Sequence, residues 1–275
     1  MRRLLFLRPF PVQTLKKKLS IIKPRFFCSV HSPSTSLSGI FPVRKPLHYT
    51  SFDVVKQIRS IILQDYKNSG KPCKWIKVGH GGTLDPFATG VLVIAVGSTC
   101  SQLERFLQGS KRYRATLKFG EETDTLDNTG TIVDTKPVPN ISIDDIRSVL
   151  PRYMGVIEQV PPAYSAIHVN GKRAYEWARK GVAIELPKRK VRIDHIECTY
   201  CCMPIAEFSI ECSGGTYIRR LLSDIVQQEW QTVGHLVALE RTQQGPFLLS
   251  DAVSLQDLKQ MSHIQCTMQR FAHFL

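Results

Sequence analysis

The sequence predicts an α+β fold built on an antiparallel sheet, and three observations predict it. Some segments space their apolar residues at the helical period and carry capping boxes at their N-termini. Others alternate apolar and polar residues with a period of two. The two kinds do not follow one another in the βαβα rhythm of a parallel sheet.

In chain order, Thr50 and Asp53 form a capping box before Val54, Val55, Ile58, Ile61 and Ile62, an apolar face at helical spacing. Ile76 and Val78 lead into a glycine-rich stretch, Gly79 to Gly90, which is followed by the apolar run Val91 to Val96. Tyr113, Ala115, Leu117 and Phe119 alternate with Arg112, Arg114, Thr116 and Lys118, giving a strand with one buried and one wet face. Ser142 and Asp145 repeat the capping device before Ile146, Val149, Leu150 and Tyr153, and Gly155 lies just beyond that helix. Ala206, Phe208, Ile210 and Cys212 alternate with Glu207, Ser209, Glu211 and Ser213 as a second strand. Thr216 to Glu229 then reads as a helix with Ile218, Leu221, Leu222 and Ile225 turned inward.

The chain has 275 residues, 43% of them apolar, which suits one globular unit with a sizeable core. Its net charge of +14 is unevenly placed. No acidic residue precedes Asp53, whereas residues 1–38 hold eight basic ones, leaving 29 basic against 23 acidic residues, or +6, for the rest. This leader is basic, acid-free and rich in serine toward its end, the pattern of a mitochondrial transit peptide; a disordered basic arm on a nuclear or cytoplasmic protein is the alternative. The apolar stretch Leu4–Leu7 is too short for a secretory signal, and no uncharged apolar run of about 18 residues predicts a membrane span. Of the eight cysteines only Cys198, Cys201 and Cys202 cluster, with no second pair at ligand spacing, so reduced and mostly buried thiols are expected rather than a metal site.

The stretch Gly79-His80-Gly81-Gly82-Thr83-Leu84-Asp85-Pro86-Phe87-Ala88-Thr89-Gly90 holds a carboxylate on a glycine-rich turn. Asp85 with Pro86 reads either as a helix N-cap with proline at the first helical position or as a reactive group presented on a turn. Residues 172–190 hold Lys172, Arg173, Arg179, Lys180, Lys188, Arg189 and Lys190 against Glu176 and Glu185, a surplus of +5. With Tyr175 and Trp177 interleaved, the run reads either as an RNA-binding segment offering stacking surfaces beside phosphate-neutralising cations or as a solvated helix face.

The glycine-rich stretch resembles the G-x-L-D-P-x-A-T-G motif of the TruB family of tRNA pseudouridine synthases. Further matches follow in that family's order: Lys111-Arg112-Tyr113, Thr123-Asp124-Thr125-Leu126-Asp127, Pro161-Pro162-Ala163-Tyr164-Ser165-Ala166, Gly215-Thr216-Tyr217-Ile218-Arg219 and Leu239-Glu240-Arg241. The resemblance runs from about Ser38 to about Leu258 and implies a mixed, mainly antiparallel sheet with flanking helices and a central RNA-binding cleft. It makes residues 39–275 a catalytic domain with a basic RNA-binding insertion at about 161–190, ending too soon for the C-terminal PUA domain of many relatives.

The same resemblance implies the chemistry. Uridine becomes pseudouridine by breaking N1–C1′, turning the uracil and joining C5 to C1′, which needs no cofactor. Asp85 is then the catalytic carboxylate, whether it adds to C1′ or takes the 2′ proton. Arg219 supplies its cation and Asp127 balances Arg219; Tyr113 lies against the uracil, stacking on it or taking the C5 proton. Leu239 walls the pocket, His80 fills the space left by the flipped base, and Tyr217 and Lys45 support the site. Without that resemblance, a lone histidine in a glycine-rich turn would be assigned to backbone hydrogen bonding. Two departures stand in the segment beginning Lys45-Pro46: His48 replaces an expected glycine, and Arg44 stands where an acidic residue is common.

The expected partner is the T stem-loop of tRNA, with mRNA loops as a further class, bound by a monomer. A tRNA-folding chaperone of the same fold is a second hypothesis. A nucleoside-cleaving enzyme, needing a second carboxylate and a placed water, is a third.

Overall fold

The computed structural model describes residues 37–70, 73 and 75–274. The proposed leader therefore lies, but for its last two residues, outside the described residues.

The elements in order are β1 (Gly39–Lys45), α1 (Ser51–Asn68), β2 (Val78–His80), β3 (Thr89–Val96), α2 (Leu103–Gln108), β4 (Lys111–Phe119), β5 (Glu121–Thr123) and β6 (Ile132–Thr135). Then come α3 (Ile143–Val149), β7 (Gly155–Gln159), β8 (His168–Val169), β9 (Lys172–Arg173), α4 (Ala174–Ala178), β10 (Arg189–Cys202) and β11 (Ile205–Cys212). The chain finishes with α5 (Ile218–Trp230), β12 (Gly234–Gln244), β13 (Phe247–Leu248), β14 (Val253–Ser254) and α6 (Met261–Arg270).

One large sheet runs in the order β14-β1-β3-β12-β4-β11-β10-β7, with β2 added on β3 and β13 on β12. Its pairs are antiparallel except β1–β14 and β3–β12. The sheet is thus mixed and mainly antiparallel, an α+β architecture as expected.

Both capping boxes form. The Thr50 hydroxyl accepts from the Asp53 amide and the Asp53 carboxylate accepts from the Thr50 amide; Ser142 and Asp145 do the same for α3. The alternating strands also form, with Tyr113, Ala115, Leu117 and Phe119 buried on β4 and Ala206, Phe208, Ile210 and Cys212 buried on β11. The last long helix begins at Ile218 rather than Thr216, because Tyr217 occupies the cap in an extended conformation with no side-chain cap.

Two apolar clusters flank the sheet. One gathers β1, β3, α1 and α6 around Phe41, Ile58, Ile94 and Phe247. The other gathers β4, β10, β11, α3 and α5 around Leu117, Phe208, Leu222 and Leu236. The seam between them is the parallel contact of β3 with β12, which holds only the pairs Glu240↔Thr89 and Arg241↔Gly90. The turn carrying Asp85 leaves β2 in the first half, yet its Leu84, Phe87 and Ala88 pack into the second cluster. The turn therefore lies across the seam.

The described cysteines are less buried than expected. Cys100, Cys198 and Cys212 are buried; Cys73, Cys201 and Cys266 are half-buried and Cys202 is exposed, since it ends β10 where the strand leaves the core.

Candidate active site

Asp85 sits in the connection between β2 and β3, where Pro86 and Phe87 make a turn and the chain enters β3 at Thr89. No helix follows Pro86, so the helix-cap alternative is corrected: the apolar run continues as a strand buried through Val91–Val96.

The Asp85 side chain is 29% exposed and meets Arg219, whose side chain is 3% exposed in the first turn of α5. Arg219 Nε donates to Asp85 Oδ2 at 2.9 Å and Nη2 to Oδ1 at 3.1 Å, a two-pronged contact. The rest of the guanidinium donates to the backbone carbonyls of Thr125 and, at 2.9 Å, Tyr164. Asp127 Oδ2 stands 3.8 Å from Arg219 Nη1. Asp127 is itself buried, and its Oδ1 accepts from the Thr125 hydroxyl (2.9 Å) and the Thr129 amide (2.9 Å). Burying a guanidinium is costly unless it is paired and hydrogen-bonded, and here both conditions hold.

Arg219 reaches this place because the chain before α5 runs close to α2. The Gly214 amide donates to the Gln108 carbonyl, and a Cβ on Gly214 would stand 2.3 Å from the Leu107 carbonyl oxygen. Buried Gln159 then fixes Tyr217, donating to its carbonyl at 3.0 Å and accepting from its amide at 2.9 Å.

Tyr113 is buried on β4, and Leu239, buried on β12, pairs with Ala115 in the adjoining register. Burial pushes the Tyr113 phenol above its usual range, against the neighbouring Arg241 charge.

His80 ends β2 half-buried, and its Nδ1 accepts from the Gly82 amide at 3.4 Å. Burial first, and then Arg241 and Arg173, lower its pKa to about 4. The ring is neutral at physiological pH.

Lys45 is fully buried at the end of β1 and donates to the carbonyls of Pro46 (2.8 Å), Tyr49 (2.5 Å) and Pro86 (3.3 Å). Its pKa is lowered to about 8, chiefly by burial and against the attraction of Asp85. Lys45 thus ties β1 and the segment after it to the residue following Asp85. His48 reinforces the tie, donating its amide to the Pro86 carbonyl at 2.8 Å from a φ of 66°. That left-handed conformation explains why glycine is expected at this position. Arg44 pairs with Glu240 at 2.9 Å, so an acidic residue there would face a like charge.

The basic segment is not one solvated helix face. Only Ala174–Ala178 is helical, the preceding Lys172 and Arg173 form β9, and Arg189 opens β10. Nor are its aromatic faces all open to bases: Lys172 lies over Trp177 at 4.9 Å and Arg179 over Tyr175 at 5.2 Å. Arg189 lies over Tyr217 at 4.5 Å and donates to the Gly215 carbonyl, so it braces the approach to α5. Lys180 and Lys188 are exposed and Lys190 is exposed on β10.

Sequence reasoning missed the Thr125 and Tyr164 carbonyls and Gln159. Backbone acceptors leave no side-chain signal, and lone glutamines carry none.

Among the described residues, no helix is long and apolar enough to cross a membrane and no group of three or more His, Cys, Asp or Glu residues is placed to hold a metal.

Comparison with known proteins agrees with this geometry. The profile described as TruB family pseudouridylate synthase (N terminal domain) matches residues 71–218. A tRNA pseudouridine synthase B of Parabacteroides distasonis is 41% identical over 215 residues, covering 78% of this chain and 88% of the relative. The pseudouridylate synthase TRUB1 of Homo sapiens is 39% identical over 231 residues, covering 81% of this chain and 65% of the relative. Among solved structures, a Cbf5-Nop10-Gar1 complex aligns with a TM-score of 0.59 and 26% identity, over 80% of this chain and 53% of that one. An archaeal box H/ACA sRNP Nop10-Cbf5 complex aligns with a TM-score of 0.57 at 23% identity, over 83% of this chain and 58% of that one. The chain thus spans little more than half the length of these solved relatives, which establish the fold. The profile match and the identity to the curated relatives place this chain in the TruB family of pseudouridine synthases, isomerases that convert uridine in RNA to pseudouridine.

Proposed function

We propose that this protein isomerises the uridine at position 55 in the T-loop of tRNA, with Asp85 as the catalytic carboxylate. One observation carries the reading: Asp85, open on one side, is held in two-pronged contact by a buried guanidinium arriving from 134 residues along the chain.

The chemistry suits such a group. Breaking N1–C1′ builds positive charge at the anomeric carbon, which a fixed carboxylate stabilises, by electrostatics or by bonding to it. The uracil is turned in place and C5 joins C1′; the proton lost from C5 is matched by the one N1 gains, so nothing outside the reactants is consumed. The neutral ring of Tyr113 stacks on the uracil, Leu239 closes the apolar wall, and His80 fills the space left by the everted base. Tyr217 supports the site through its backbone bonds to Gln159.

Grip on the stem falls to Lys172, Arg173, Arg179, Lys180 and Lys188 to Lys190, with Arg189, which donates to the Gly215 carbonyl, and Arg173, which donates to the Ala166 carbonyl, divided between RNA and the fold. The protein acts as a monomer on tRNA stem-loops and on mRNA loops of the same shape. Residues 1–38 serve as a mitochondrial transit peptide.

The test is pseudouridine mapping on a tRNA transcript treated with the purified protein. Conversion confined to the T-loop uridine is expected, and binding without conversion would return the protein to the folding-chaperone reading. Mapping organellar and total RNA with and without the protein tests the compartment.

A further inference from the structure

Strand β12 presents two buried polar side chains to the underside of the turn that carries Asp85. Arg241 is 1% exposed and Gln244 is fully buried. Arg241 Nε donates to the Val91 carbonyl at 2.6 Å and Nη2 to the Gly82 carbonyl at 3.1 Å. Gln244 Nε2 donates to the Gly81 carbonyl at 2.6 Å, while its Oε1 accepts from the Val93 amide at 3.1 Å. Each side chain therefore grips both the start of the turn, at Gly81 or Gly82, and its end on β3.

The backbone ties the start of the turn to β3, the Gly81 amide donating to the Val93 carbonyl at 2.8 Å beyond the β2–β3 ladder, but it gives β12 little hold on either. β12 and β3 share only two residue pairs, and they approach so closely that a Cβ on Gly90 would stand 2.2 Å from the Arg241 carbonyl oxygen. Arg241 makes no ion pair with an acidic side chain among the described residues. An apolar residue of similar volume would avoid the desolvation of a buried guanidinium. What it could not do is donate from one planar fork to two carbonyls on opposite arms of a turn. Arg241 also pairs across the ladder with Tyr113 on β4, so one residue borders both the turn and the tyrosine of the site.

We propose that Arg241 and Gln244 are positioning residues that set the height and tilt of the Asp85 turn, so that the carboxylate meets the substrate sugar in register with Arg219. The inference rests on Asp85 being the catalytic carboxylate. Both side chains are buried and spend their polar atoms on the turn and β3, so each acts through the geometry of the turn.

The experiment measures single-turnover rate, dissociation constant for a T stem-loop RNA, and thermal unfolding of Arg241→Met, Arg241→Ala and Gln244→Leu. A displacement of the reacting group by about 1 Å lowers rate on the order of 100-fold. Arg241→Met is expected to lose rate by about that factor and Gln244→Leu by about tenfold, both with RNA affinity within about threefold of the parent. Added ethylguanidinium is expected to restore part of the rate of Arg241→Ala by reoccupying the fork. The proposal is overturned if Arg241→Met keeps its rate, if rate and affinity fall together, or if Arg241 variants do not fold and Gln244→Leu is fully active. An Asp85→Asn control separates the two readings: activity in that variant removes the catalytic assignment, whereas an inactive control beside an active Arg241→Met removes only the clamp.

Discussion

Asp85 and Arg219 face each other through two hydrogen bonds, 2.9 Å and 3.1 Å long, although one lies on a turn between strands and the other in the first turn of a helix 134 residues later. The pair fixes the turn that leaves β2 to the second apolar cluster, where Leu84, Phe87 and Ala88 pack with α5, the helix behind β4 and β12.

Replacing Asp85 by Asn keeps the shape and removes the charge. Arg219 retains the Thr125 and Tyr164 carbonyls and the nearby Asp127, so the fold should survive with a loss of about 1.5–3 kcal/mol, the scale of a hydrogen bond to a charged group. Isomerisation should fall by at least about 1,000-fold, the scale of removing a preorganised electrostatic group, while RNA affinity stays within a few fold. Mass-spectrometric or chemical mapping of pseudouridine together with filter binding checks both halves. Near-parental conversion by the Asn variant would end the assignment.

Asp127→Asn separates balance from catalysis. The substitution keeps an acceptor for Thr125 and Thr129 but leaves Arg219 with Asp85 as its single carboxylate. Stability should drop by about 1–3 kcal/mol, as expected when a buried charge loses part of its compensation. Activity at saturating RNA should fall less than in Asp85→Asn. Chemical denaturation and single-turnover kinetics read the two effects independently.

How far the sequence foretold this depends on the range of the signal. The boxes Thr50–Asp53 and Ser142–Asp145, and the alternation along β4 and β11, are local patterns fixed by backbone geometry, and each appears where expected. The start of α5 was missed because Tyr217 caps it without a side-chain bond, held instead by Gln159 from β7. The pairing of β10 with β7 joins Arg189 to Gln159 across the whole basic insertion, and nothing local announces it. The meeting of Asp85 with Arg219 was legible only through family resemblance, since no spacing rule relates a turn to a helix so far along the chain. Arg241 enters that resemblance only as the end of Leu239-Glu240-Arg241, with no role attached, and Gln244 lies outside it: on a strand both look like any wet-face residues until the turn is laid over them.

The depressed pKa of His80, about 4, has a sign that can be measured. The unfolded ring titrates near its ordinary value of 6.5, so between these values the unfolded state binds more protons and stability must fall as pH is lowered. Above about pH 6.5 this loss is absent. His80→Gln should flatten the dependence of the melting temperature on pH between about 6.5 and 4. A parent protein with the same slope as the variant would show that His80 ionises freely in the fold.

His48 provides the last test, because a substitution toward the family's residue should stabilise this chain. The histidine holds φ at 66°, a conformation that disfavours a side chain by roughly 1 kcal/mol, while its amide alone makes the bond to the Pro86 carbonyl. Glycine relieves the strain and keeps the amide, but it also has more freedom to lose on folding, so the net gain in His48→Gly should be no more than about 1 kcal/mol. His48→Val keeps the chain length and adds a β-branched side chain at positive φ, which should cost about 1–2 kcal/mol. The segment is tied through Pro86 to the residue after Asp85, so the Val variant should also lose rate, whereas the Gly variant should not. Melting temperatures and single-turnover rates of the two variants give the ordering. A destabilised His48→Gly would mean that the exposed ring contributes a contact outweighing its backbone strain.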